Sequence, residues 1–318
     1  MDIILLPFKV LLIILDLLIT LVTFGWINAI KKFFRRQPPR SVPVEDDESH
    51  RVDPRFKGKL VTSPFDDAPT LYHLASKAFS MHGSRRCMGT RKFLGWKSPK
   101  VKHFGEVKWK SYEEISNLST KFGAALRKHG MTPSADVTSL GEIKSPCSIA
   151  IFENTCSEWM IAALGSFSQS ISVTTIYATL GLEAVISAVN EASISTIVCN
   201  KTNVKKLTDR VNDMNGLKTI IYTNDTVAPD DKIELPKAPK GVKIVEFYEF
   251  ASSGDKIAFP PQPPKPDTTA VIMYTSGSTG KPKGVVIKHR AIVAAVAAGK
   301  IALGIQKGDV YIAYLPLA

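Results

Sequence analysis

Tyr274–Thr275–Ser276–Gly277–Ser278–Thr279–Gly280–Lys281–Pro282–Lys283–Gly284 is a run of glycines and hydroxyls closed by two lysines. Strand-like apolar residues lead in at Ala270–Tyr274 and lead out at Val285–Ile287. Gly277 and Gly280 free the backbone to curl its N–H groups around an anion. Thr275, Ser276, Ser278 and Thr279 add hydroxyl donors or a magnesium ligand, and Lys281 and Lys283 bring point charges suited to phosphate. The competing reading is a flexible surface loop between hairpin strands. The Walker-type phosphate loop is excluded, because Pro282 follows Lys281 and forbids a helix running straight on from Gly280. Any phosphate here is therefore held by loop and lysine contacts without a helix dipole behind them.

The whole chain has 318 residues, 44% of them hydrophobic, enough for a sizeable core in one or two domains. Its formal net charge of +12 suits nucleic acid, an anionic membrane surface or acidic ligands. Lys31, Lys32, Arg35, Arg36 and Arg40 crowd just after an apolar N-terminus, which favours membrane lipid. No aromatic-interleaved basic motif stands out, so a nucleic-acid partner is not expected. The cysteines Cys87, Cys147, Cys156 and Cys199 lack zinc spacing; Cys147 and Cys199 lie in apolar runs where inert buried thiols are usual.

Val10–Ile30 is an apolar run with Asp16 as its only charge. At about 1.5 Å per residue it is long enough to cross a hydrocarbon core. The readings are a spanning helix, a shallow hairpin in one leaflet beginning near Pro7, and a cleaved signal peptide ending near Thr23–Phe24–Gly25. Cations after the run and Asp2 before it favour an anchor, with the remainder facing the cytosol. The expected organisation is a membrane anchor over residues 1–30, a basic tether over 31–60, and a first α/β subdomain over 61–258. A proline-rich linker over 259–267 and the start of a second subdomain over 268–318 follow.

Strand and helix signals alternate along the first subdomain, which argues for a parallel sheet with helices on its faces. Ser111 and Glu114 form a capping box ahead of Ile115, Leu118, Phe122 and Leu126 on one helical face, with Gly130 as the stop. Thr155 and Glu158 suggest a second box. Cys147–Phe152, Ser172–Tyr177, Thr196–Cys199 and Thr219–Tyr222 read as strands. Leu182–Ala192, Val204–Met214 and Ala291–Leu303 read as helices, and Tyr311–Leu315 as a last strand. Phe259–Pro266 carries too many prolines for a helix or a sheet interior. Lys288 and His289 read as surface residues.

The Tyr274–Gly284 stretch resembles the phosphate-binding signature of the AMP-forming acyl-adenylate ligases, the superfamily of acyl-CoA synthetases and luciferases. Glu158–Ala163 with Ile176–Gly181 resembles the long-chain fatty-acid–CoA ligases, and Tyr311–Ala318 is similar to the start of their next core motif. The similarity runs from about Leu71 to the last residue. It implies an α/β fold, the N-terminal part of the acyl-adenylate ligase fold, preceded by a membrane-anchor helix and truncated. The implied reaction joins ATP-Mg and a long-chain fatty acid as acyl-AMP, from which CoA displaces AMP. The resemblance gives Thr275, Ser276, Gly277, Ser278, Thr279, Gly280, Lys281, Lys283 and Gly284 to the ATP phosphates, with Thr275 as candidate magnesium ligand. Lys283 matches the lysine expected near the outer phosphates, and Lys281 points equally well into solvent. It also implies endoplasmic-reticulum membrane or lipid droplet as the location, with residues 1–36 on lipid. The family's adenine, hinge and C-terminal catalytic-lysine motifs do not occur before Ala318. The chain as written is therefore expected to be incomplete and inactive; the alternative to a ligase is a membrane-anchored fragment without the adenine, acyl and CoA sites. The segment 134–146 departs from the family as an insertion.

Overall fold

A computed structural model describes residues 11–20, 41–45, 47–57, 61–99, 101–133, 147–177, 180–275, 283–315 and 317. The chain divides into two compact units, Met1–Leu60 and Val61–Ala318. In the first, residues 11–20 are helical (α1) and their leucine and isoleucine side chains are exposed. The rest of the expected anchor lies outside the described residues. Among those described, no helix is long and apolar enough to cross a membrane. The stretch read as a bare tether instead folds in part: β1 (Val42–Val44) pairs antiparallel with β2 (Asp47–Val52). Asp53 then accepts from the Arg55 amide and guanidinium, closing a single turn at Pro54–Phe56.

The second unit opens with α2 (Leu71–His82), capped by the Thr70 hydroxyl accepting from the His73 amide. A long antiparallel hairpin follows, β3 (Arg86–Ser98) with β4 (Val101–Ser111). It was not read from the sequence. Helix α3 (Tyr112–Lys128) begins with the expected capping box: Ser111 accepts from the Glu114 amide while Glu114 accepts from the Ser111 amide. Its buried Ile115, Phe122 and Leu126 recur at helical spacing, and the Phe122 ring stacks 5.1 Å from Phe247.

The main sheet has the order β11-β10-β6-β5-β7-β8-β9, whose strands are β5 (Ser148–Phe152), β6 (Ser172–Thr175), β7 (Thr196–Asn200), β8 (Thr219–Thr223), β9 (Lys243–Glu246), β10 (Thr269–Thr275) and β11 (Lys283–Lys288). All neighbours are parallel except β10 with β11. Strands β5, β6 and β7 are buried at every position, as central strands of parallel sheets are. The residues expected to start a second subdomain thus supply two strands to the same sheet. The crossovers are α4 (Ser157–Phe167), α5 (Leu182–Glu191), α6 (Val204–Asp209) and α7 (Phe247–Ser252). Helix α8 (His289–Leu303) leaves β11 directly.

Where α3 crosses α4 the backbones touch through two glycines. A Cβ on Gly165 would stand 2.6 Å from the Ser119 carbonyl oxygen and 3.1 Å from the Gly123 nitrogen. The proline stretch is tied down rather than free. Gln262 donates its amide to the Ser168 carbonyl at 2.8 Å, the Ser170 hydroxyl donates to the Gln262 carbonyl at 2.7 Å, and Gln169 donates to Phe259 and Pro260 carbonyls.

Three expectations need correcting. Thr155 does not cap α4: its hydroxyl donates to the Leu315 carbonyl, Cys156 is the N-cap residue, and no side chain caps that helix. The Glu158 carboxylate accepts from Ser157 and Tyr248 hydroxyls, so it has left the geometry a capping box needs. Tyr311–Leu315 is not a strand. Tyr311, Ile312 and Tyr314 are each 75% exposed, and no described strand lies alongside to give a ladder partner. His289 is buried at 1% exposure, with its ring edge-on to Phe167 at 5.2 Å; Lys288 alone is on the surface side, 3.3 Å from Asp267. The insertion at 134–146 lies outside the described residues.

Candidate functional site

Two places on the carboxyl edge of the sheet draw attention, and both follow from strand order. Strands β6-β5-β7-β8-β9 wind in the doubly wound sequence whose direction of growth reverses at the β5/β7 boundary, the place where parallel sheets open a crevice. There Glu153 follows β5 immediately, Asn200 ends β7 and Thr223 ends β8. The Thr223 hydroxyl donates to Glu153, the Asn154 amide donates to the same carboxylate at 2.7 Å, and Asn200 donates to the Asp225 carbonyl at 2.5 Å. Burial raises the Glu153 carboxyl to about 7 against the support of these donors, and raises Asp225 with help from the Glu158 charge. Burial likewise pushes the Cys156 and Cys199 thiols up, so neither is a ready thiolate. The polar groups of this crevice are turned toward one another.

The second place is the turn between β10 and β11. Because β10 runs parallel to β6, its end at Thr275 reaches the carboxyl edge, and β11 returns antiparallel from Lys283. The segment 276–282 therefore connects two antiparallel strands at the carboxyl edge of the sheet. Ser276, Gly277, Ser278, Thr279, Gly280 and Lys281 lie outside the described residues. Thr275 and Lys283 form the last register pair below the tip, and Lys283 is exposed. The backbone thus sets Lys283 at the mouth of the loop.

Gly284 has a visible steric reason. It pairs with Tyr274, and a Cβ there would stand 3.0 Å from Ile272 Cγ2 and 3.2 Å from Tyr274 Cζ. The Tyr274 hydroxyl donates to the Glu191 carboxylate at 2.7 Å, which braces the entry strand against the end of α5; burial and that carboxylate push the phenol up. Sequence reading gave Gly284 to the phosphates and missed the Tyr274–Glu191 brace and the Glu153 network. A glutamate directly after a fully apolar strand was the available signal for the latter. Near the exit, burial lowers His289 to about 4, with the His73 charge adding to it.

Glu153 and His289 give opposite pH slopes to stability. The unfolded chain releases the Glu153 proton above its ordinary 4.5 while the folded chain keeps it to about 7, so stability falls as pH rises through that window. Unfolded His289 takes a proton below 6.5, which the folded chain refuses down to about 4, so stability falls as pH drops there. Each effect is worth up to about 3 kcal/mol. Relative to wild type, Glu153→Gln should make stability rise more steeply between pH 4.5 and 6.5, and His289→Gln should do the reverse. Urea midpoints against pH test this; curves parallel to wild type in both variants count against it.

Residues 97–318 match the AMP-binding enzyme family. The chain is 35% identical over 319 residues to long chain acyl-CoA synthetase 8 of Arabidopsis thaliana, covering 96% of this chain and 42% of that protein. It is 30% identical over 283 residues to long-chain-fatty-acid–CoA ligase 2 of Schizosaccharomyces pombe, covering 82% and 39%. It thus spans about two fifths of the length of these curated relatives, 42% and 39%. A putative long-chain-fatty-acid CoA ligase from Rhodopseudomonas palustris superposes with a TM-score of 0.55 at 14% identity, covering 78% of this chain and 51% of that one. The A-PCP didomain of a carboxylic acid reductase from Segniliparus rugosus, in complex with AMP, gives 0.51 at 15%, covering 72% and 34%. At such identities the likeness shows the fold, the α/β fold of acyl-adenylate ligases.

Proposed function

We propose that this chain, which belongs to the AMP-binding enzyme family, serves the activation of long-chain fatty acids. A fatty-acid carboxylate attacks the α-phosphate of ATP, pyrophosphate leaves, and the CoA thiol then displaces AMP from the acyl-adenylate. The observation that carries this reading is the β10–β11 hairpin, which presents a glycine-and-hydroxyl tip at the carboxyl edge with Lys283 at its mouth. The resemblance to long-chain acyl-CoA synthetases names the substrate.

Such chemistry asks little covalent work of the protein. It asks for charge on the departing pyrophosphate and for in-line placement of the carboxylate. Thr275 through Gly280 would cradle the phosphates by backbone N–H groups and hydroxyls, Lys283 would meet the outer phosphates, and magnesium bound near Thr275 would screen the remaining charge. Gly284 and Tyr274 keep the mouth in place. In a form spanning the full length of the relatives, palmitate-dependent exchange of labelled pyrophosphate into ATP tests the first half-reaction; exchange that is absent there, or indifferent to fatty acid, overturns the reading. Residues 1–36 would hold the protein on endoplasmic-reticulum or lipid-droplet membrane with the α/β unit in the cytosol. Release of a fusion of residues 1–60 by carbonate would refute that placement.

A further inference from the structure

We propose that the β3–β4 hairpin is a second membrane contact, one that docks on an anionic lipid surface. Between Arg86 and Lys110 the chain carries eight lysines and arginines against a single acid, Glu106. Among them stand Trp96 at 57% exposure and Trp109 at 37%, with Leu94, Val101 and Val107 also exposed. The cations sit against the rings: Lys102 Nζ lies 5.8 Å from the Trp96 ring and the Arg86 guanidinium 5.9 Å from that of Trp109. Gly89 makes room for part of this surface, since a Cβ there would stand 2.9 Å from Val107 Cγ1 and 3.0 Å from the Trp109 ring.

Rings with a polar edge settle at the headgroup level, cations meet lipid phosphates, and aliphatic side chains gain by entering the acyl boundary. All three kinds are present on one ribbon about 35–45 Å long, taking roughly 3.3 Å per strand residue. Nucleic acid would use the cations and the open rings but would gain nothing from Leu94, Val101 and Val107. Phe93 offers it no further ring, being buried and edge-to-face with Phe104 at 5.6 Å.

The test reads the hairpin itself, separately from residues 1–36. In the full chain carrying Trp26→Phe, Trp96 and Trp109 are the exposed emitters, since Trp159 is buried. Vesicles of phosphatidylserine and phosphatidylcholine with brominated acyl chains should quench them, and pure phosphatidylcholine vesicles should not. The double variant Lys102→Glu/Lys108→Glu should weaken that quenching about tenfold or more, each surface cation accounting for roughly fivefold. An unchanged melting curve would confirm that the variant folds. Unquenched fluorescence, or quenching unaffected by charge reversal, overturns the proposal. Retention of a single-stranded oligonucleotide that the same reversal abolishes, without vesicle quenching, overturns it in favour of nucleic acid.

Discussion

Lys283→Ala should lower fatty-acid-dependent ATP–pyrophosphate exchange by about a hundredfold or more while fatty-acid binding changes little, because the lost contact acts on charge that grows as pyrophosphate departs. The placement of its backbone follows from strand pairing alone: Thr275 opposite Lys283 is the last rung of the β10–β11 ladder, so the lysine stem starts from the mouth of the hairpin. Lys281 is a residue that by resemblance points equally well into solvent, and Lys281→Ala should cost less. Lys283→Arg keeps the charge but not the compact ammonium, and should recover part of the rate. Exchange that survives Lys283→Ala intact would remove this lysine from the phosphate site. A matching fall in fatty-acid affinity would mean that the change had disturbed the hairpin instead.

Gly165→Leu should destabilise the α/β unit by roughly 3 kcal/mol or more, and should leave little folded protein at moderate urea. The cause is geometric. The α3 and α4 backbones meet at this residue, and the added carbon would press on the Ser119 carbonyl and the Gly123 nitrogen, neither of which yields without moving a helix. Gly299 offers the contrast within the same unit: it lies inside α8 with nothing within 4 Å of an added Cβ. Gly299→Ala should therefore stabilise by up to about 1 kcal/mol, the helix preference of alanine over glycine. Urea midpoints for both variants decide the matter, and a Gly165→Leu protein as stable as wild type would contradict the close packing of these helices.

The parallel sheet was legible because buried strands such as Ser148–Phe152 and Thr196–Asn200 are continuous apolar runs punctuated by amphipathic helices. The strands on either side of 276–282 were legible from their apolar runs, but their place on the sheet was not, since pairing of β10 with β6 is a long-range fact. The β3–β4 hairpin escaped notice because its register shifts repeatedly, between Arg86 and Met88, Arg91 and Phe93, Phe93 and Gly95, and Trp96 and Ser98. Each shift breaks the two-residue alternation by which strands are recognised. Thr155 was misread for a related reason: an S/T-x-x-E spacing says nothing of the Tyr248 hydroxyl that claims Glu158 in the fold. His289 was misplaced because only the fold sets Phe167 against it.

The insertion of β10 beside β6 also imposes a chronology on synthesis. Strands β5 through β9 leave the ribosome in succession, and from β6 onward each can pair on emergence with a strand already made. Through that interval β6 is a border strand, its outer N–H and C=O groups facing water until Thr269–Thr275 emerges to cover them. Closing so long a connection adds little entropy, about 0.6 kcal/mol for each doubling of length, so the delay comes from waiting and not from strain. The nascent chain thus carries a vacant berth next to β6, and the segment that fills it is the strand leading into the glycine-and-hydroxyl stretch. The carboxyl edge of the sheet is completed only when that berth is filled.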